Sequence, residues 1–167
     1  MATPFHVELV TPERVLYSGD VAEVSMRTDG GEIAFLAHHE DFIGAAGVTV
    51  VRLAPVDAGE GATSQLAAVH GGFVHFEQDA NTLTILAGVA ELGSEVDVER
   101  ARRALERADG AGAAQGAAAP TPGVADDAGG PVRATGTALA TLAPDEPAAV
   151  AQRARARLEA AGASPGR

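Results

Sequence analysis

The chain has 167 residues, a formal net charge of −11, no Cys and no Trp. Without Cys there are no disulfides, thiolate metal centres or thiol nucleophiles, and the acidic balance argues against a nucleic-acid backbone as partner, because phosphate contacts need clustered cations. The acidity is one-sided: residues 1–96 hold 14 acids and 3 Arg, whereas residues 97–167 hold 9 of each, an asymmetry that suggests two units with different partners.

No run of about 18 apolar residues occurs, so no membrane span is expected. The start, MATPFHVELV, has neither a basic region nor a long apolar core, so no signal peptide is expected and the default compartment is the cytoplasm. FHVELVT alternates, with Phe5, Val7 and Leu9 on one side. Pro12 and Gly19 bound TPERVLYSG. DVAEVSMRT alternates again with Ala22, Val24 and Met26 together, and Asp29-Gly30-Gly31 is a hairpin signal. EIAFLA places Ile33 and Phe35 on one side. GVTVVRLAP places Val48, Val50 and Arg52 opposite Thr49, Val51 and Leu53. QLAAVHGGFVHFEQ carries Gly71-Gly72 in its middle, which predicts a bend or bulge. Asp79-Ala80-Asn81 is a turn, and TLTILAGVAELG ends the series. Turn signals at this spacing predict an antiparallel sandwich or barrel, here read as a β-sandwich of about ten short strands over residues 1–93.

The period then changes. DVERARRALERAD predicts a first helix over 94–109, with Asp97 as N-cap and a shallow apolar face of Ala101, Ala104, Leu105 and Ala108. Residues 110–143 are mostly Ala, Gly, Pro and Thr, with too few side chains to offset backbone ordering, and read as a flexible linker. PDEPAAVAQRARARLEAAG predicts a second helix over 144–163. The class is thus a β-sandwich followed by a C-terminal α-helical pair.

Chemistry could reside in His38-His39-Glu40-Asp41. Successive side chains of an extended segment point to opposite faces, so His38 and His39 do not readily share one ion, and zinc needs three or four ligands. His6, His70 and His75 lie on other predicted strands, and nothing in their spacing gathers them. A carboxylate beside a His can tune a base, but no nucleophile motif or phosphate-cradling glycine loop accompanies it. The segment reads as a solvated loop between strands. No catalytic residue, metal ligand or obligatory cofactor is expected.

The ordered features Tyr17-Ser18-Gly19, Gly31-Glu32-Ile33, His39 and Gly71-Gly72-Phe73, followed by an Ala/Arg-rich helical pair, resemble the epsilon subunit of bacterial rotary ATP synthase over residues 5–108. Ala34, Ala37, His38 and Asp41 depart from the residues usual in that family, and the helices are separated by more than the family's short turn. The resemblance implies a non-catalytic rotor subunit at the cytoplasmic face of the membrane, joining the gamma subunit to the c-ring. It implies that Glu32, His38, His39, Glu40 and Asp41 belong to the c-ring and gamma interface. It also implies helices that extend toward the alpha/beta catalytic ring and inhibit ATP hydrolysis, with Arg102, Arg103, Arg107, Arg153, Arg155 and Arg157 meeting acidic segments there. Val96–Ala101, VDVERA, resembles a stretch that binds regulatory ATP in some members, which implies Asp97 and Arg100 as contacts; read from its residues alone, it is a helix start. A rival reading is a free-standing β-sandwich ligand-binding module with a disordered tail, which requires a concave pocket with converging polar groups.

Overall fold

The structure, a computed structural model, describes residues 2–28, 30–56, 63–115 and 147–164. Its elements in chain order are β1 (Phe5–Val10), β2 (Val15–Val21), β3 (Glu23–Thr28), β4 (Gly31–Phe35), β5 (Phe42–Ala54), β6 (Gln65–Glu77), β7 (Thr82–Ala87) and β8 (Ala90–Leu92). A 3-10 turn (Gly93–Glu95), α1 (Val98–Gln115) and α2 (Pro147–Ala160) follow. The strands form one sheet in the order β2-β1-β7-β6-β5-β3-β4, with β8 beside β6.

That sheet makes both layers of the sandwich because β5 and β6 run through each of them. Their outer halves pair as Phe42↔Phe76 to Ala46↔Gly72, and their other halves as Val48↔His70 to Leu53↔Gln65. The first set carries β7, β1 and β2, here called layer one; the second carries β3, β4 and β8, layer two. Among the described residues the expected ten short antiparallel strands are therefore eight, two of them 13 residues long, and β1 runs parallel to β7. Gly71-Gly72 bends β6 without ending it. Gly72 has φ +156°, and a Cβ there would collide with the Leu86 carbonyl oxygen, so only glycine lets β6 pass β7 at the fold line.

Alternation produces the core. Phe5, Val7 and Leu9 of β1, Val74 and Phe76 of β6, and Leu83 and Ile85 of β7 point inward from layer one. They meet Val24, Met26, Phe35, Val51, Leu53 and Val69 of layer two in one buried cluster. Phe76 lies at its centre, stacked on Phe35 at 6.0 Å between ring centroids and tilted against Phe5 at 5.6 Å. The predicted hairpin closes with Thr28 opposite Gly31; Asp29 lies outside the described residues.

The helices differ in extent from expectation. The first begins at Val98 and runs past Asp109 to Gln115, so residues 110–115 are helical and not linker. Residues 116–143 lie outside the described residues, as do 144–146, and the second helix is described from Pro147 to Ala160. Asp97 is the N-cap, its Oδ1 accepting the Arg100 N–H at 2.9 Å. Gly162, at φ +69°, ends α2; its N–H reaches the Glu159 carbonyl and the Ala163 N–H reaches the Leu158 carbonyl at 2.8 Å, a Schellman closure.

Alanine lines both sides of α2. Ala151, Ala154 and the fully buried Leu158 pack on Ala101, Leu105 and Ala108 of α1. Ala156 and Ala160 pack on Val48, Val50, Leu66 and Ala68, on the outer face of layer two. At Gly93 a Cβ would fall on the Ala160 carbonyl oxygen and press on that of Leu66, so the end of α2 approaches backbone directly. Gly93→Ala is therefore expected to loosen α2 while leaving the sandwich intact. Hydrogen exchange should quicken in α2 amides and not in β1 or β7.

Candidate docking loop and helix latch

Residues 36–41 carry the chain from β4 in layer two to β5 in layer one. The segment is not a freely solvated loop. The His38 N–H donates to Asn81 Oδ1 at 2.7 Å, and the Gln78 N–H donates to Asp41 Oδ1 at 2.8 Å. Gln78 Nε2 donates to the His38 carbonyl at 3.4 Å, and Asn81 Nδ2 to the Pro4 carbonyl at 3.2 Å. His38 adopts φ 61°, a conformation in which a non-glycine residue needs such fixation. The loop, the β6–β7 turn and the N-terminal segment thus form one braced end of the sandwich.

His38 and His39 part company there. His38, Glu40 and Asp41 are exposed, whereas His39 is half-buried. Its ring lies 5.0 Å from Phe35, 5.5 Å from Phe76 and 6.3 Å from Phe42 between centroids, and its Nδ1–H donates to the Glu40 carbonyl at 2.8 Å. His39 is an aromatic lid on the core. Glu32 sits at the other end of β4, opposite Arg27, so the structure does not place it with His38–Asp41. Among the described residues no three of His, Cys, Asp and Glu gather as a metal site. On the outer face of β1 and β2, His6 Nδ1 meets Asp20 Oδ1 at 3.0 Å and Ser18 Oγ meets His6 Nε2 at 3.3 Å. This exposed chain ties the edge strand β2 to β1.

The six helical Arg do not form a single patch. Arg102 pairs with Glu99 at 3.5 Å, and Arg155 with Asp109 at 3.5 Å. Arg107 Nε donates to the Arg103 carbonyl at 3.2 Å. Arg157 differs: its Nε and Nη2 donate to both oxygens of Glu91 at 3.1 and 2.9 Å. This two-pronged, partly buried bond is the strongest geometry open to the pair and fastens α2 to β8. Beside it lies His70, both ring nitrogens buried without a hydrogen-bond partner. Its pKa is pushed down to about 4, first by burial, then by Arg157 and Arg153, against an opposing pull from Glu91. Asp97 and Arg100 sit at the start of α1, Arg100 exposed and its backbone engaged by the Asp97 cap. Sequence reasoning missed Glu91 and His70 as partners of α2. Their outward position on β8 and β6 was the available signal, but the contact spans 66 residues of chain.

No described helix is long and apolar enough to cross a membrane. The fold is a bent-sheet sandwich with one layer held by a helical pair and a braced loop at one end. Residues 4–93 match the family model for the beta-sandwich domain of the ATP synthase delta/epsilon chain, and the chain belongs to that family. It is 44% identical over 110 residues to the ATP synthase epsilon chain of Streptomyces griseus subsp. griseus, covering 65% of this chain and 82% of that one. It is 46% identical over 104 residues to that of Halalkalibacterium halodurans, covering 62% and 73%. In structure it is similar to a chain of the Euglena gracilis mitochondrial ATP synthase OSCP/F1/c-ring assembly, with a TM-score of 0.53, 25% identity and 66% of each chain covered.

Proposed function

We propose that this chain is a non-catalytic central-stalk subunit of a proton-translocating ATP synthase, peripheral on the cytoplasmic face of the membrane, and that its sandwich joins the gamma subunit to the c-ring. One observation carries the reading. The outer face of layer two is partly covered by α2, whereas layer one carries an exposed apolar cluster on β5, β6 and β7: Ile43 is 77% exposed, Phe73 62% and Leu86 51%. Phe73 stands directly opposite Leu86 across β6 and β7, and Ile43 lies on the adjoining strand, opposite His75. Contiguous apolar residues of this size mark a surface that a partner covers, and gamma is the partner assigned to it. The braced loop of His38, His39, Glu40 and Asp41 supplies the polar end facing the c-ring; Glu32, at the far end of β4, lies outside that end.

The helices form the inhibitory element. In the docked state the Glu91–Arg157 bond and the alanine contacts of α2 hold them on layer two. Each buried alanine methyl contributes only about 0.8 kcal/mol, so release is a low-cost two-state change. Released, Arg102, Arg103, Arg107, Arg153, Arg155 and Arg157 face the alpha/beta ring. Asp97 and Arg100 are the proposed contacts for regulatory ATP, which favours the docked state.

Mixing the chain with its cognate gamma subunit should give co-elution on gel filtration, and Phe73→Glu should abolish it. Failure of the wild-type chain to co-elute would reject the stalk assignment. ATPase assays of the catalytic ring should show inhibition by the full chain and none by a truncation after about Gly93. Equal activity would remove the brake alone.

A further inference from the structure

A cleft of about 610 Å³ opens between α2 and the outer face of layer two, a size that ordinary small-molecule sites share. Its placement of charge is unexpected. The first 96 residues contain three Arg, and two of them, Arg27 and Arg52, line this one cleft together with Arg155 of α2. Arg27 projects from β3 opposite Glu32, and Arg52 from β5 opposite Ser25, both on the face where α2 lies. Arg14, Arg102, Arg155 and Arg157 form ion pairs, but Arg27 and Arg52 form none among the described residues. In a chain of net charge −11, two guanidinium groups without ion-pair partners line one concavity, a placement that suits an anionic occupant.

The remaining walls narrow the class. Ala34, Val48, Val50 and Ala156 give the cleft an apolar floor, while Glu32 and Glu159 leave its lining with one net positive charge. The floor suits a flat apolar body. The Arg rim suits a single compact oxyanion group, which guanidinium binds in a fork. We propose that this cleft binds an organic phosphate, with its phosphoryl group on Arg27 and Arg52, its apolar body against Val48, Val50 and Ala156, and Arg155 closing from the helix. Because the ligand touches both the sheet and α2, its binding stabilises the docked helix. Neither Asp97 nor Arg100 lines this cleft, so the site is separate from the proposed regulatory-ATP contacts. It is measured on the chain alone and does not depend on the stalk assignment.

The probe is 1-naphthyl phosphate, titrated into the full-length chain by calorimetry, with 1-naphthol and inorganic phosphate as partial ligands. Saturable binding is expected, stronger than for either fragment, weakening with salt, and accompanied by slower hydrogen exchange in α2. Arg52→Gln and Arg27→Gln, both at exposed positions, should each weaken binding by roughly tenfold, the loss of a charge-assisted contact, while Arg100→Gln leaves it unchanged. Absence of saturable binding up to about 10 mM, the weak limit for a specific site, would overturn the proposal. So would binding that Arg27→Gln and Arg52→Gln leave intact, or that Arg100→Gln abolishes.

Discussion

Phe76→Ala should lower the unfolding free energy by about 3–5 kcal/mol, the usual cost of deleting a buried aromatic ring. Phe76 is fully buried and touches three rings from different parts of the fold: Phe5 of β1, Phe35 of β4 and His39 of the braced loop. Its loss therefore opens a cavity between the layers and removes the support under His39 together. Denaturant unfolding should show a lower midpoint with an unchanged slope. Phe73→Ala is the matched control, three residues along the same strand but with its ring in water. It should cost no more than about 0.5 kcal/mol and still weaken gamma binding. A Phe76 variant as stable as the wild type would mean that the two layers are not packed through this ring.

Lowering the pH should undock α2 before the sandwich unfolds. His70 is neutral in the docked state because burial, Arg157 and Arg153 together press its pKa to about 4. Once α2 leaves, the ring meets water and returns toward the ordinary value near 6.5. Between those values the undocked state binds a proton that the docked state refuses, so docking strengthens as pH rises and weakens as it falls. Full expression of the shift would amount to about 3 kcal/mol, and partial exposure of the ring reduces that through solvent screening. Glu91 beside the ring counters part of the effect. An NMR titration from pH 7 to about 4 should show α2 resonances changing while β1 and β7 resonances hold. His70→Leu keeps an apolar body without the titrating group and should remove the acid response. Undocking of that variant over the same range would show that another group is responsible.

Much of the sandwich was legible in the sequence because burial has a period. Phe5, Val7 and Leu9, or Thr49, Val51 and Leu53, separate the faces of their strands by alternation alone. Gly71-Gly72 announced the bend, but local pattern cannot tell a strand that turns from two strands that meet. The strand count was too high for that reason. His39 looks like a solvated loop residue from sequence because strand alternation lapses outside the strands, and its inward turn depends on Phe76, which is distant in sequence. The extent of α1 was missed because Gly110 and Gly112 signal an end that the helix passes through. Glu91 and Arg157 resemble any exposed acid and base until the fold sets them face to face.

The fold line has a mechanical consequence. In a sandwich of two separate sheets, a shearing load is resisted by side-chain contacts and by the loops that cross between the sheets. Here β5 and β6 thread both layers, so a twist applied at one face reaches the other along covalent main chain. Gly71 and Gly72 mark the crease where the main chain of β6 passes from one layer to the other. At Gly72 no side chain can be accommodated against the Leu86 carbonyl, so the path of that continuous chain is fixed by backbone contact and not by side-chain fit.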